Sequence, residues 1–361
     1  MGIEQCKKHG VKSANMDKNA VHMIVAGSEF VPHAIKTISN QWGLHELKRI
    51  SEVHHYYLGQ EMLDIALMCA YYANEKNFSV HVQRVGKNIQ LVSVKKTNVN
   101  KMPQLTKIDS VTNKNNRSLL GADLEIMMRN EKTNAFVAFP MSDKWNKKIG
   151  ADRALLRKGT TFYQPILELR ATPKKTGAML HDEFVTLKRR LVDRLKNEAY
   201  SLSIVAEENP KGRFLLGGHF HISNKRPSYR TTSLLDALVT LPFTTINQPK
   251  SLERRNTYGK LGSVRLNRFN GYEYRTLPSW FTYIDDGAPL FIWIETIFFN
   301  KTIPEIRLND EAIRAYYEGK NEVLIKKTEY LFSYVTQYLT DEEKINLENF
   351  KLWLQLMRML D

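Results

Sequence analysis

The chain has 361 residues, 42% hydrophobic and 25% charged, with 53 Lys and Arg against 38 Asp and Glu and a net charge of +15. That length and composition exclude a peptide, a disulfide miniprotein and a disordered tail, and leave a soluble protein of about two domains. The positive balance predicts attraction to anions, whether nucleic acid, nucleotide or acidic polymer, while two cysteines, Cys6 and Cys69, without a CxxC pair exclude a disulfide framework or a cysteine zinc site and fit a reducing cytoplasm.

Residues 1–19 read as a flexible basic arm, polar where a signal peptide needs an apolar stretch. A small N-terminal α/β domain is expected over 20–94. Its predicted elements are a strand over 21–26, helices over 31–39 and 59–74, and a hairpin of 78–85 and 88–94 about a Gly-Lys turn. Residues 95–117, rich in Lys, Asn and Thr and without apolar period, read as a linker. Four short strands follow, over 120–128, 165–171, 215–223 and 271–277. Between the second and third an amphipathic helix sets Phe184, Leu187, Leu191, Val192 and Leu195 on one face. From Pro278 the chain reads as mostly helical. Its most apolar run, 289–299, is too short to span a bilayer, and Thr340 with Glu343 forms a capping box.

Each of the four strands carries a polar pair at i and i+2, the spacing that shares one face. The pairs are Asp123 and Glu125 in GADLEI, Glu168 and Arg170 in ILELR, His219 and His221 in GGHFHIS, and Glu273 and Arg275 in GYEYRTLPSW. An ordinary one-sided sheet leaves such pairs in water. If the four strands line one cavity, Glu125, Glu168 and Glu273 with an imidazole make a hard site suited to magnesium or manganese, and crowded carboxylates need a cation to stay ionised. A zinc pair of His219 and His221 is the alternative, disfavoured by the carboxylate excess.

Arg254, Arg255, Lys260, Arg265 and Arg268 lie in RRNTYGKLGSVRLNR, and Lys144, Lys147, Lys148, Arg153 and Arg157 surround IGADR. Arginines beside a carboxylate metal site are what a triphosphate requires. Neither GxxxxGK[ST] nor GxGxxG after a strand occurs, so any nucleotide is held through metal by the strand-borne carboxylates.

The order GADLE, IGAD, ELR, GGHFHI, LLDALVTLP, RRNTYGKLGSVR and GYEYRTLPSW resembles the phage-type COOH-NH2 ligases, a branch of the glutamine synthetase-like carboxylate-amine ligases, over about residues 119–300. The resemblance implies an α+β fold, with a glutamine synthetase-like curved antiparallel sheet carrying helices on its outer face as the catalytic domain over 118–300, and C-terminal helices over 301–361 packing on it. It implies ATP held by Mg2+, with Mn2+ possible, an acyl-phosphate intermediate, and an amide formed from a small-molecule or peptide carboxylate and an amine. By position, Asp123, Glu125, Glu168, His219 and Glu273 are the expected metal ligands. Arg255, Lys260, Arg265 and His221 are expected on the nucleotide, and Arg275, Asp152 and Arg170 as catalytic groups. Which of His219 and His221 faces the metal is a question of strand register. Leu124 stands where the family usually has proline and Arg153 where glycine is common, which leaves the role of Asp152 open.

The setting implied is the cytoplasm of an infected bacterium, with no membrane and an oligomer possible. The competing readings are a basic nucleic-acid-binding phage accessory protein, an inactive ligase-fold scaffold and a metal-dependent hydrolase.

Overall fold

A computed structural model of the chain describes residues 2–39, 43–56, 58–98, 117–138, 148–152, 154–196, 201–210, 212–246 and 252–360. Most of the expected linker over 95–117 lies outside the described residues, as do Lys144, Lys147 and Arg153.

The chain opens on a helix, α1 (Gly2–Lys8), rather than on a flexible arm. Ile3 and Cys6 are its only apolar residues after the first glycine, but they lie one turn apart and share a face, and Cys6 is completely buried. It rests on α2 (Gly59–Tyr72), where the Cys6 thiol donates to the Cys69 carbonyl at 3.5 Å. His9 stacks flat on Tyr72 with ring centroids 3.7 Å apart, and burial drives its imidazole down to about 3, so it is neutral there.

Five strands, β1 (Val21–Ser28), β2 (Val31–Ser39), β3 (Gly43–Leu47), β4 (Asn77–Val85) and β5 (Asn88–Lys96), form an antiparallel sheet in the order β3-β2-β1-β4-β5. Residues 31–39, expected to be helical, are strand β2. Val31, Ile35, Thr37 and Ile38 are β-branched and favour a pleated surface, and Glu29, at φ 52°, turns the chain so that Val31 pairs with Ser28. Helix α2 covers the sheet through Leu63, Ala66, Leu67 and Ala70, burying Val25, Ile35, Val80 and Leu91.

The second sheet is built around β6 (Leu120–Asn130), with β7 (Phe136–Val137), β8 (Ile149–Ala151), β11 (Ile166–Arg170), β12 (Leu202–Val205), β13 (Gly218–Ile222), β14 (Val264–Asn267) and β15 (Gly271–Tyr274); β9 (Leu156–Lys158) and β10 (Thr161–Tyr163) make a separate hairpin. Its antiparallel path runs β14-β15-β13-β6-β11-β8, and β7 and β12 also pair with β6. Alternate residues Leu124, Ile126, Leu167, Leu169, Phe220, Ile222, Tyr272 and Tyr274 are buried on one face, each contributing about 1.5–3 kcal/mol. They pack under α3 (Gly177–Lys196) and α7 (Ala288–Phe299): Phe220 meets Trp280 and Phe291 at 5.5 and 5.1 Å. A Cβ on Gly218 would come within 2.1 Å of the Trp280 indole nitrogen, so only glycine lets β13 approach that ring. One apolar face sends the polar alternates of all four predicted strands to the other.

Between β13 and β14 the chain forms α4 (Tyr229–Leu235), a π-helical turn at Asp236–Thr240, α5 (Leu241–Thr244) and α6 (Glu253–Asn256). The chain ends in α8 (Asp310–Glu318), α9 (Asn321–Thr336) and α10 (Asp341–Leu360). The expected capping box opens α10: Thr340 N donates to Glu343 Oε2 at 2.9 Å, and Glu343 N to Thr340 Oγ1 at 3.3 Å. Among the described residues no helix is long and apolar enough to cross a membrane.

The N-terminal unit is docked on the rest of the chain by ring packing, with Phe30 and Tyr71 against Tyr229 at 5.1 and 5.3 Å, and by polar bonds. Tyr71 Oη donates to Asp236 Oδ2 at 3.0 Å and Tyr72 Oη to the Leu261 carbonyl at 2.6 Å, while Lys260 Nζ donates to the His9 carbonyl at 2.8 Å.

Candidate active site

Strand register assembles the polar pairs into three rows on the open face of the second sheet. Gly150, Glu168 and Glu125 form the first, since β11 pairs Glu168 with both. Arg170, Asp123 and His219 form the second. Gly121, His221, Glu273 and Arg265 form the third. Directly opposite residues of an antiparallel pair point to the same side, so seven of the eight polar residues predicted from four separate strands, together with Arg265, share one surface, and the eighth, Arg275, lies one residue beyond β15 and reaches it through Glu273. Gly150 leaves space into which the Arg170 guanidinium turns to pair with Glu168.

Asp123 is the centre of the face. Its Oδ1 lies 2.8 Å from His219 Nδ1 and its Oδ2 2.9 Å from His221 Nε2. His221 Nδ1 faces Glu273 Oε2 at 3.7 Å, and Glu273 Oε1 lies 2.9 Å from Arg275 Nε. Glu125 Oε2 accepts the Gly217 N–H at 2.8 Å. The ligand atoms of Asp123, His221 and Glu273 all lie within 4.8 Å of one another, a set of two carboxylates and one imidazole. His219 Nδ1 lies 2.8 Å from Asp123 Oδ1 without the alignment of a hydrogen bond, so it stands beside this trio as an ion-pair neighbour of Asp123.

The electrostatics show what such crowding costs. Burial, reinforced by the neighbouring Asp123 and Glu125 charges, pushes the Glu168 carboxyl up to about 8 even with Arg170 beside it. Burial also raises Glu125. Burial acts to raise Asp123 too, but the two imidazoles outweigh it and hold its carboxyl well below the ordinary range. His221 is the converse: burial would lower it, and Asp123 and Glu273 instead push it up to about 9. Without a cation the face therefore holds protons on Glu168 and His221 at neutral pH. Four carboxyl groups that cannot all ionise together, with an imidazole among them, fit a divalent oxygen-seeking cation.

The sign of the pH dependence follows. Both groups have folded values above their ordinary 4.5 and 6.5, so the cation-free fold binds more protons than the unfolded chain and loses stability as pH rises from about 6.5 to 8. Lys225 and Lys260, lowered by burial to about 8, act in the opposite sense above that point. A cation that displaces these protons binds more tightly as they leave. The rise in melting temperature produced by magnesium is thus expected to be larger at pH 8 than at pH 6.5; an increment that shrinks with pH contradicts the placement of Glu168 and His221 beside the cation.

The structure divides the predicted basic set. Arg265 faces the site, its guanidinium held above its ordinary value against burial by Asp64 and Glu273. Arg255 is buried with Nη1 donating to the Tyr316 carbonyl, and Lys260 Nζ donates to the His9 carbonyl while its side chain lines the same cleft as Arg265 and Arg275. Arg254, also buried, donates to the Thr276 and Arg275 carbonyls, fixing the backbone beside Arg275. Asp152 lies one residue beyond β8, its N–H donating to the Ile166 carbonyl at 3.0 Å. Much of the positive charge in RRNTYGKLGSVR is therefore spent inside the protein, which weakens the nucleic-acid reading.

Asp64 was not visible as a site residue in the sequence: it sits in a run, GQEMLDIALM, that reads as a core helix. It projects from α2 onto Arg265, and with Glu61, Lys12, Lys87, Tyr258, Arg265 and Arg275 it lines a cleft of about 320 Å3 between the N-terminal unit and the edge of the second sheet.

Comparison with known proteins agrees with this picture at the level of family. A family model described as "Phage phiEco32-like COOH.NH2 ligase-type 2" matches residues 120–359. No curated protein matches the sequence. Among solved structures the chain is similar to "Apo GmaS without ligand", at 11% identity and a TM-score of 0.40 over 98% of this chain and 94% of that one.

Proposed function

Because the chain belongs to the phage phiEco32-like COOH.NH2 ligase type 2 family, we propose that it is an ATP-dependent carboxylate-amine ligase of glutamine synthetase-like fold, which activates an acid as its acyl phosphate and forms an amide, releasing ADP and phosphate. The observation that carries the reading is the polar sheet face, where carboxylates in excess of what can ionise unaided stand beside two arginines at the mouth of a cleft.

In this reading Asp123, His221 and Glu273, with Glu125 and Glu168 alongside, hold magnesium or manganese, and His219 orients Asp123. The cation supplies neutralisation of phosphate charge. Arg275 and Arg265 meet the phosphates or the acid's carboxylate, for which a guanidinium offers a planar fork of donors. Arg170, in the second row and paired with Glu168 of the first, is 42% exposed and placed to meet an anion entering over these two rows. Asp152, one residue beyond the edge strand β8, is the proposed contact to substrate. Positioning and charge neutralisation are most of what phosphoryl transfer asks of a protein. The reading takes the chain as phage-encoded and acting in the cytoplasm of the infected bacterium, where ATP and magnesium are abundant.

The test is calorimetric titration of ATP into the full chain, with magnesium and then with EDTA. Binding is expected only with magnesium. ATP binding that is indifferent to EDTA, or none at all in folded protein, overturns the reading.

A further inference from the structure

Two arginines stand between two carboxylates at the mouth of the cleft, and one of those carboxylates comes from the N-terminal unit, outside the residues that the family model covers. Asp64 Oδ2 accepts from Arg265 Nη2 at 2.7 Å and from Nε at 3.2 Å, and lies 3.9 Å from Arg275 Nη1. Its Oδ1 accepts from Gln60 Nε2, one turn earlier on α2, at 2.7 Å, so the carboxylate is fixed from its own helix. On the opposite side Glu273 Oε1 lies 2.9 Å from Arg275 Nε and 3.6 Å from Arg265 Nη1. The other oxygen of Glu273 points to His221 in the candidate cation trio.

We propose that Asp64 is a positioning residue of the active site: it draws Arg265 off Glu273, keeping Glu273 open to a divalent cation and both arginines presented to the cleft. The inference rests on the ligase reading and assigns the N-terminal unit a part in it. With Asp64 present, two guanidinium charges are balanced by two carboxylates. Without it, Glu273 is the one carboxylate still within 4 Å of Arg265 among the described residues, Glu61 acting on the guanidinium only from farther along the cleft, and the guanidinium closes the remaining 3.6 Å onto the oxygen pair that the cation needs. These side chains are 15–31% exposed, so water screens the competition only in part. The same displacement turns the arginine fork away from Lys12, Lys87 and Tyr258, which line the cleft with it.

The experiment compares the full wild-type chain with Asp64→Asn and Asp64→Glu. ATP binding is followed by calorimetry at increasing magnesium, and melting temperature is recorded without ligand. Asp64→Asn, which keeps the side-chain shape, is expected to need about tenfold more magnesium for half-maximal ATP binding, the scale on which lost outer partners weaken a metal site. Asp64→Glu, which keeps the charge, is expected to recover most of that loss. An unchanged magnesium requirement in Asp64→Asn overturns the proposal, as does an equal loss in Asp64→Glu and Asp64→Asn. If Asp64→Asn melts far below wild type, Gln60→Ala carries the test, because it removes only the amide that fixes Oδ1: a smaller rise in the magnesium requirement supports the role, and none overturns it. Failure of the wild-type chain itself to bind ATP at any magnesium concentration marks the failure of the ligase reading instead, and this role falls with it.

Discussion

Glu168→Gln is expected to melt higher than the parent chain at pH 8 in the absence of magnesium, and to gain little when magnesium is added. The parent carries a carboxyl pushed up to about 8 by burial and by Asp123 and Glu125, so at that pH it is being forced to ionise among like charges. The amide removes that charge at nearly constant volume, and the Arg170 it leaves behind is 42% exposed and solvated. The same substitution takes away a cation donor. Glu273→Ala removes a donor within the trio itself and is expected to fold while weakening magnesium-dependent ATP binding by about 100-fold, the upper end of what outer partners cost. Thermal melts with and without magnesium, followed by calorimetry, check both. Glu168→Gln melting no higher than wild type, or wild-type ATP binding in Glu273→Ala, contradicts the site. Stability given up for a binding surface is common where function needs crowded charge.

Asp236→Ala is expected to cost about 3 kcal/mol, measurable as a lower urea midpoint, and to weaken the active site from a distance. Asp236 sits completely inside, on the π-helical turn, a form that is uncommon and often marks function. Its Oδ1 accepts from Tyr274 Oη at 2.6 Å and from Gly262 N at 3.0 Å, while its Oδ2 accepts from Tyr71 Oη at 3.0 Å. Burial pushes its carboxyl up to about 6, with the three donors restraining the rise. Alanine strands the Gly262 N–H and the Tyr71 hydroxyl and leaves Tyr274 Oη only its contact with Thr240 Oγ1 at 2.6 Å, and each buried orphan costs about 1 kcal/mol or more. Two of them matter for the site: Tyr274 lies between Glu273 and Arg275 on β15, and Tyr71 is on the helix that carries Asp64. A variant as stable as wild type would show that the donors freed from Asp236 find other partners.

The sequence revealed the polar face because a period of two is a strong signal in a short strand: Asp123 and Glu125, or His219 and His221, declare a common side without knowledge of their neighbours. Which rows they join depends on strand order, which no local pattern encodes, and so His221 rather than His219 meets Glu273. Basic residues in a loop carry no period at all. Arg255 therefore cannot be told from Arg265, although it is buried against Tyr316 and Arg265 turns to the carboxylates, and Lys260, held by the His9 carbonyl at the cleft wall, falls between the two. Asp64 was hidden by the apolar residues around it, and 31–39 was misread because a short run with few polar markers satisfies either period. Helix α1 escaped notice because two apolar residues one turn apart are too few to rise above a polar background.

The seam between the two units also has a history in time. Asp64 and Arg265 are 201 residues apart in the chain, and Tyr71 and Asp236 are 165 apart. At roughly 5–20 residues per second, a ribosome makes Asp64 about ten to forty seconds before its arginine exists. During that interval the docking edge of the nascent N-terminal segment has no partner to meet. That edge carries Asp64 and the hydroxyl ends of Tyr71 and Tyr72, which water can satisfy, but also the ring of Phe30, which is covered only once Tyr229 has been made. The contact is therefore one that the longer chain alone completes: residues 229–265 bring both the rings and the charges that the first 72 residues have to wait for.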